Sequence, residues 1–140
     1  MKGLGDVVLD HVAIAVKDLD NAVQVWENLG LEFEEEREVV EEQGVVTAFA
    51  AIDTNAHLEL LCPHGEGGPI HKYIEKKGEG IHHLCFKVKD VAAKTIELRD
   101  KGFTLINEAP VKGAGGCLVN FIHPKSTGGV LVEISQKVDS

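Results

Sequence analysis

The 140-residue chain reads as an α+β protein built from paired βαβββ modules, with their strands forming one curved, partly open, mixed-sheet barrel. Three observations point there. Residues Asp10-His11-Val12-Ala13-Ile14-Ala15-Val16-Lys17-Asp18-Leu19 return 72 positions later as His82-His83-Leu84-Cys85-Phe86-Lys87-Val88-Lys89-Asp90-Val91, and Gly30 recurs as Gly102. Leu58-Glu59-Leu60 returns 74 positions later as Val132-Glu133-Ile134. Each half reads as a strand, a helix and three more strands, which cannot enclose a core alone, so pairing the halves is the economical solution. The expected organisation is a single domain, residues 1–140, with modules at about 8–62 and 80–137 joined by a connector.

From Leu9 to Val16, Val12, Ile14 and Val16 share one face and His11, Ala13 and Ala15 the other, the period-two pattern of a strand. Leu19, Ala22, Val23, Trp26 and Leu29 are then spaced at three and four residues, which predicts an amphipathic helix over 19–29 capped by Gly30. The acidic stretch 32–42 is expected to be the solvated end of a strand and its turn. The β-branched run 45–52, the turn Asp53-Thr54-Asn55 and the run 57–61 read as a hairpin. A Gly- and Pro-rich loop, 64–69, and a short helix, 70–77, connect the halves. The second half repeats the plan: strand 82–88, helix 90–101 capped by Gly102, strand 103–107, loop 108–116, strand 117–122, turn 123–129 and strand 130–136.

Composition bounds the function. With 44% hydrophobic and 26% charged residues, the chain can bury a core without disulfide staples. A net charge of −9 opposes general nucleic-acid binding, which relies on Lys and Arg neutralising phosphates. No apolar run approaches the ~20 residues of a membrane span, and residues 1–6 lack a signal-peptide core, so a cytoplasmic protein with no membrane partner is expected. Cys62, Cys85 and Cys117 form no CxxC pair, and Cys85 sits in an apolar strand pattern as a small buried thiol.

The repeat singles out His11, Glu59, His83 and Glu133. A lone strand histidine or glutamate is ordinary, but independent surface residues have no reason to recur at matched repeat positions. Two imidazoles and two carboxylates, with coordination positions left open, suit a divalent ion such as Co²⁺, Mn²⁺, Ni²⁺, Mg²⁺ or Zn²⁺. Adjacent strand residues face opposite ways, so only one of His82 and His83 can join the set, and the repeat selects His83. His57, His64 and His71 lack repeat counterparts and read as surface or loop residues. His123, in the turn His123-Pro124-Lys125-Ser126, either stabilises that turn through a hydrogen bond or contacts a ligand.

These features resemble the vicinal oxygen chelate superfamily with its glyoxalase fold, and within it the methylmalonyl-CoA epimerase family. The segments that carry the likeness are Leu9-Asp10-His11-Val12-Ala13, Glu42-Gln43-Gly44-Val45, Leu58-Glu59-Leu60-Leu61, Gly78-Glu79-Gly80-Ile81-His82-His83-Leu84, Asn120-Phe121-Ile122-His123-Pro124-Lys125 and Gly129-Val130-Leu131-Val132-Glu133. The resemblance implies an isomerase that interconverts (2R)- and (2S)-methylmalonyl-CoA by proton removal and return at C2 through a metal-stabilised enolate. It implies a divalent metal held by His11, Glu59, His83 and Glu133, cobalt first among the ions above, and a homodimeric assembly. Some family members carry glutamine at the position of Glu59, so acid–base work by Glu59 opposite Glu133 is this chain's own expectation. Gln43 is either a substrate or bound-water contact or a polar turn residue, and Lys112, Lys125 and the Gly113-Ala114-Gly115-Gly116 loop are expected near the coenzyme A phosphates. The alternatives are a glyoxalase I-type lyase, for which an arginine pair that would hold glutathione is missing, and a non-catalytic small-molecule binding module of the same fold.

Overall fold

Small and β-branched residues alternate along the first strand, and that alternation decides which helix covers which face of the sheet. In the computed structural model residues 5–138 are described, apart from the side chains of Glu42 and Ala114. The strands are β1 Val8–Ala15, β2 Glu38–Val40, β3 Val45–Ala51, β4 His57–Pro63, β5 Gly80–Lys87, β6 Val111–Lys112, β7 Cys117–Ile122 and β8 Val132–Lys137. The helices are α1 Leu19–Leu29, α2 Pro69–Lys77 and α3 Val91–Asp100. They fall into two compact units, one spanning His11–His82 and the other combining the residues up to Asp10 with those from His83 onward.

In the His11–His82 unit the strand order is β2-β3-β4-β1. β1 runs parallel to β4, whereas β3 is antiparallel to both β4 and β2. The return from β1 to a parallel β4 needs a crossover, and α1 supplies part of it. The Asp18 carboxylate starts that helix by accepting from the Asn21 N–H at 3.1 Å. Gly30 ends it in the left-handed region, φ 119°, with its N–H on the last carbonyls. Leu19 and Val23 pack on Val16, Ala48, Leu58 and Leu60, with Trp26, Val12 and Ile14 at the margin. A second cluster joins Ala13, Ala15, Val45 and Leu61 to Ile70, Tyr73 and Ile74 of α2. The β1 side chains thus divide as the alternation predicts, with the bulky set under α1 and the small set toward α2.

In the other unit the order is β5-β8-β7-β6, with β5 parallel to β8 and β7 antiparallel to its neighbours. α3 opens on Asp90, whose carboxylate accepts from the Ala93 N–H at 3.0 Å. Its core is Val88, Val91, Leu105, Ile122 and Ile134, flanked by Leu98, Phe103 and Val132. The βαβββ plan therefore occurs twice with the same pairing.

One expected strand is displaced. Residues 103–107 form only an isolated bridge, Leu105 to Ile122, and the paired edge strand is β6, inside what the sequence suggested as a loop. The first module has the same arrangement, an isolated bridge from Phe33 to Ala50 and then the edge strand β2, so the displacement belongs to the repeated plan; in the second module Asn120, fully buried on β7, anchors the point of departure. Its Oδ1 accepts from the Asn107 N–H at 3.1 Å and its Nδ2 donates to the Asn107 carbonyl at 3.0 Å. A side-chain amide satisfies the groups that a continuing ladder would use where the chain leaves the sheet at Asn107, before it rejoins after Pro110. Among the described residues, no helix is long and apolar enough to cross a membrane.

Candidate metal centre

The register of the two parallel pairs builds the same two-residue constellation twice. On β1 and β4, His11 stands opposite His57, and Ala13 opposite Glu59. Residues two apart share a face, so His11, His57 and Glu59 project together. On β5 and β8, Cys85 stands opposite Glu133. His83 precedes Cys85 by two, as His11 precedes Ala13. Sequence positions that match only by count thus match in strand register as well.

The distances agree. His11 Nε2 lies 3.5 Å from Glu59 Oε2, and His83 Nε2 lies 3.3 Å from Glu133 Oε1. Both histidines are buried, and only 17% and 14% of the two glutamate side chains are exposed. Taking carboxylates this far from water costs free energy unless a partner compensates. Two adjacent ligands on an ion, each at about 2.1 Å, lie roughly 3 Å apart. Each pair therefore comes within a few tenths of an ångström of that spacing, and an imidazole nitrogen with a carboxylate oxygen suits a borderline-to-hard divalent ion. The residues present fit such an ion.

An aromatic ring backs each pair. Phe49 stands opposite Glu59 on β3, and Phe121 opposite Glu133 on β7. The Phe121 ring meets His83 edge-on at 6.5 Å. Cys85 is buried beside Glu133, and burial, reinforced by that carboxylate's charge, pushes its thiol far above the ordinary range. Cys85 is accordingly an inert packing residue, as expected for a small buried thiol.

His57 departs from expectation. It is no surface residue: its ring stacks on His11 with centroids 5.1 Å apart and lies 5.5 Å from Phe49. A strand position two before Glu59 and in register with His11 was the available signal, and the lack of a repeat counterpart hid it. His82 turns away from its neighbour and meets the Tyr73 ring at 4.8 Å. His64 lies in a strand-to-helix loop 3.6 Å from Glu41, and His71, on α2, accepts from the Gly67 N–H at 3.0 Å.

The remaining residues singled out in the sequence lie elsewhere on their modules. Gln43 is exposed in the 3₁₀ turn before Gly44. Lys112 is exposed on β6, opposite Leu118. Gly115 and Gly116 are exposed with φ of 67° and 73°. Gly113 has a steric reason to be glycine, since a Cβ there would sit 2.8 Å from Val119 Cγ1. His123 Nδ1 accepts from the Lys125 N–H at 3.0 Å, so the turn-stabilising role is present. Lys125 is exposed and borders a shallow cleft with Lys101, Gly102, Phe103, Thr104 and Ser126.

Comparisons with known proteins place these features in a family. Residues 10–121 match the profile of the Glyoxalase/Bleomycin resistance protein/Dioxygenase superfamily. An ethylmalonyl-CoA/methylmalonyl-CoA epimerase of Cereibacter sphaeroides is 40% identical over 91% of this chain and 96% of its own length. The crystal structure of methylmalonyl-CoA epimerase from Mycobacterium tuberculosis matches with a TM-score of 0.84 at 36% identity, covering 99% of this chain and 94% of that one. A methylmalonyl-CoA epimerase solved with methylmalonyl-CoA and ammonium matches with a TM-score of 0.81 at 36% identity over 96% of both chains. The paired βαβββ fold, the near-complete coverage and the identity of 36% to 40% agree, and the chain belongs to the methylmalonyl-CoA epimerase family of the glyoxalase superfamily.

Proposed function

We propose that this chain interconverts (2R)- and (2S)-methylmalonyl-CoA by moving the C2 proton, with His11, Glu59, His83 and Glu133 holding one divalent ion. The observation that carries the reading is the buried His–Glu pair repeated at the same strand register in both modules of a chain from this family. Cobalt is the first choice of ion, with manganese, nickel, magnesium and zinc as alternatives. A bound divalent ion supplies Lewis-acid polarisation of the thioester and carboxylate oxygens.

The protein's own residues handle the proton. Inversion at C2 requires removal from one face and return to the other, and the repeat supplies two carboxylates for the two faces. Glu133 takes or returns the proton on one face, and Glu59 does so on the other. Groups suited to the task typically contribute ~10²–10⁴-fold each. Lys112 and Lys125 are exposed cations that suit the coenzyme A phosphates, and Gly115 and Gly116 offer amides unhindered by side chains. In this reading Gln43 hydrogen-bonds the substrate or a metal-bound water, and His123 uses Nε2 for a ligand while Nδ1 holds its turn.

The test is proton NMR of methylmalonyl-CoA in D₂O with metal-loaded and EDTA-treated protein. Loss of the C2 proton signal at a catalytic rate with the loaded protein alone is the expected result. No exchange with fully metallated protein would discard the epimerase reading and leave the binding-module alternative of the same fold.

A further inference from the structure

The first module carries a histidine that the second lacks. His57 stands two residues before Glu59, and the matching residue before Glu133 is Leu131. In the second module the Phe121 edge meets His83 directly, at 6.5 Å with planes 85° apart. In the first, His57 contacts both equivalents, stacking on His11 with planes 29° apart and tilting against Phe49. Two rings on neighbouring strands thus fix its orientation. Donor atoms of His11, His57 and Glu59 all lie within 4.8 Å of one another. Donors of one ion at about 2.1 Å stand roughly 3 Å apart when adjacent and roughly 4.2 Å when opposite, so side-chain rotations that draw these three donors closer would bring them onto one ion.

We propose that His57 is a third metal donor of the first module, making His11, His57 and Glu59 a two-imidazole, one-carboxylate half-site that favours nitrogen-preferring ions such as cobalt, nickel or zinc over magnesium. The inference rests on the metal-centre reading above and deepens it. The duplicated modules are chemically unequal: three donors stand on one and two on the other, and His57 would be the donor that gives way when two substrate oxygens take their places on a six-coordinate ion. An added imidazole strengthens binding of late first-row ions, which accept nitrogen readily, and does little for magnesium, which prefers oxygen and keeps its waters.

Two variants test this. His57→Phe keeps a ring between His11 and Phe49 and removes the nitrogens, and His57→Leu gives the first module the residue of the second. Chelator-stripped full-length proteins are titrated calorimetrically with cobalt chloride and, separately, magnesium chloride, and the visible spectrum of the cobalt form is recorded. Both variants are expected to lose at least about 10-fold in cobalt affinity, since removing even an outer-shell partner typically costs about 10–100-fold, with a shifted cobalt band and magnesium affinity kept. Unchanged cobalt affinity and spectrum overturn the inference, as does an equal loss for both ions, which marks a packing role. If the unaltered chain takes up no cobalt, the metal-centre reading itself fails and this inference falls with it; a cobalt-binding parent with indifferent variants sinks the His57 role alone.

Discussion

Asp53 shows how one exposed carboxylate can close the turn that leads into the strand carrying Glu59. Its Oδ1 accepts from the N–H groups of Asn55 and Ala56, both at 2.8 Å, and so closes the turn between β3 and β4. Those two bonds, Asn55 first, hold its pKa below the ordinary aspartate value. A depressed folded-state pKa means that the ionised form contributes stability above the unfolded pKa, and that this is lost as pH falls through the lower folded value. Asp53→Ala is therefore expected to melt at a lower temperature than the parent at pH 7, with the gap closing as the pH is taken below the usual aspartate range. A gap that persists unchanged in acid would show that the lost turn geometry, rather than the charge, is responsible. The same logic of local satisfaction applies to His123, whose Nδ1 stands in for a capping oxygen at the turn before β8.

At the scale of elements, Asn120 anchors the segment that precedes the second module's edge strand. It is fully buried and bonds the N–H and carbonyl of Asn107, the Phe121 N–H and the Thr95 hydroxyl. Asn120→Leu keeps the volume and orphans those groups, each costing about 1–3 kcal/mol where water cannot reach. Asn107 is only half-buried, so a total of about 2–4 kcal/mol is expected by urea denaturation. A loss under about 1 kcal/mol would mean that water replaces the amide and that the departing segment has another anchor. This network explains what the sequence could and could not disclose. The period-two and period-three-to-four patterns around His11, Trp26, His83 and Cys117 are local, so β1, α1, β5 and β7 were legible to within a residue or two. The apolar run Phe103-Thr104-Leu105-Ile106 carried the same strand signal, yet it forms one bridge, as Phe33 does in the first module, and the tertiary bonds of Asn120 hold the chain where it leaves. The His11–Glu59 and His83–Glu133 pairings were legible because duplication compared two positions at once. His57 was not, because its role depends on a cross-strand partner that a repeat without a second histidine cannot reveal.

For the molecule as a whole, duplication offers a way to separate ligand from acid–base roles for the two glutamates. If Glu59 and Glu133 each serve one face of C2, each faces the proton of one epimer. Glu59→Gln and Glu133→Gln keep an oxygen that can bind a metal and remove the ability to accept a proton at neutral pH. Net epimerisation should fall by about 10²–10⁴-fold in either variant, because one half of the transfer is missing. Solvent exchange should fall unequally: one variant still washes deuterium into (2R)-methylmalonyl-CoA, the other into (2S), and neither does so for both. Following each pure epimer by NMR in D₂O, with bound metal measured in parallel, reads the two roles separately. Equal loss of exchange from both epimers with metal retained would show that the two-face assignment is wrong and that one glutamate serves as a ligand only. Loss of metal together with exchange would instead make both glutamates primarily ligands, and would move the proton-transferring group elsewhere on the modules.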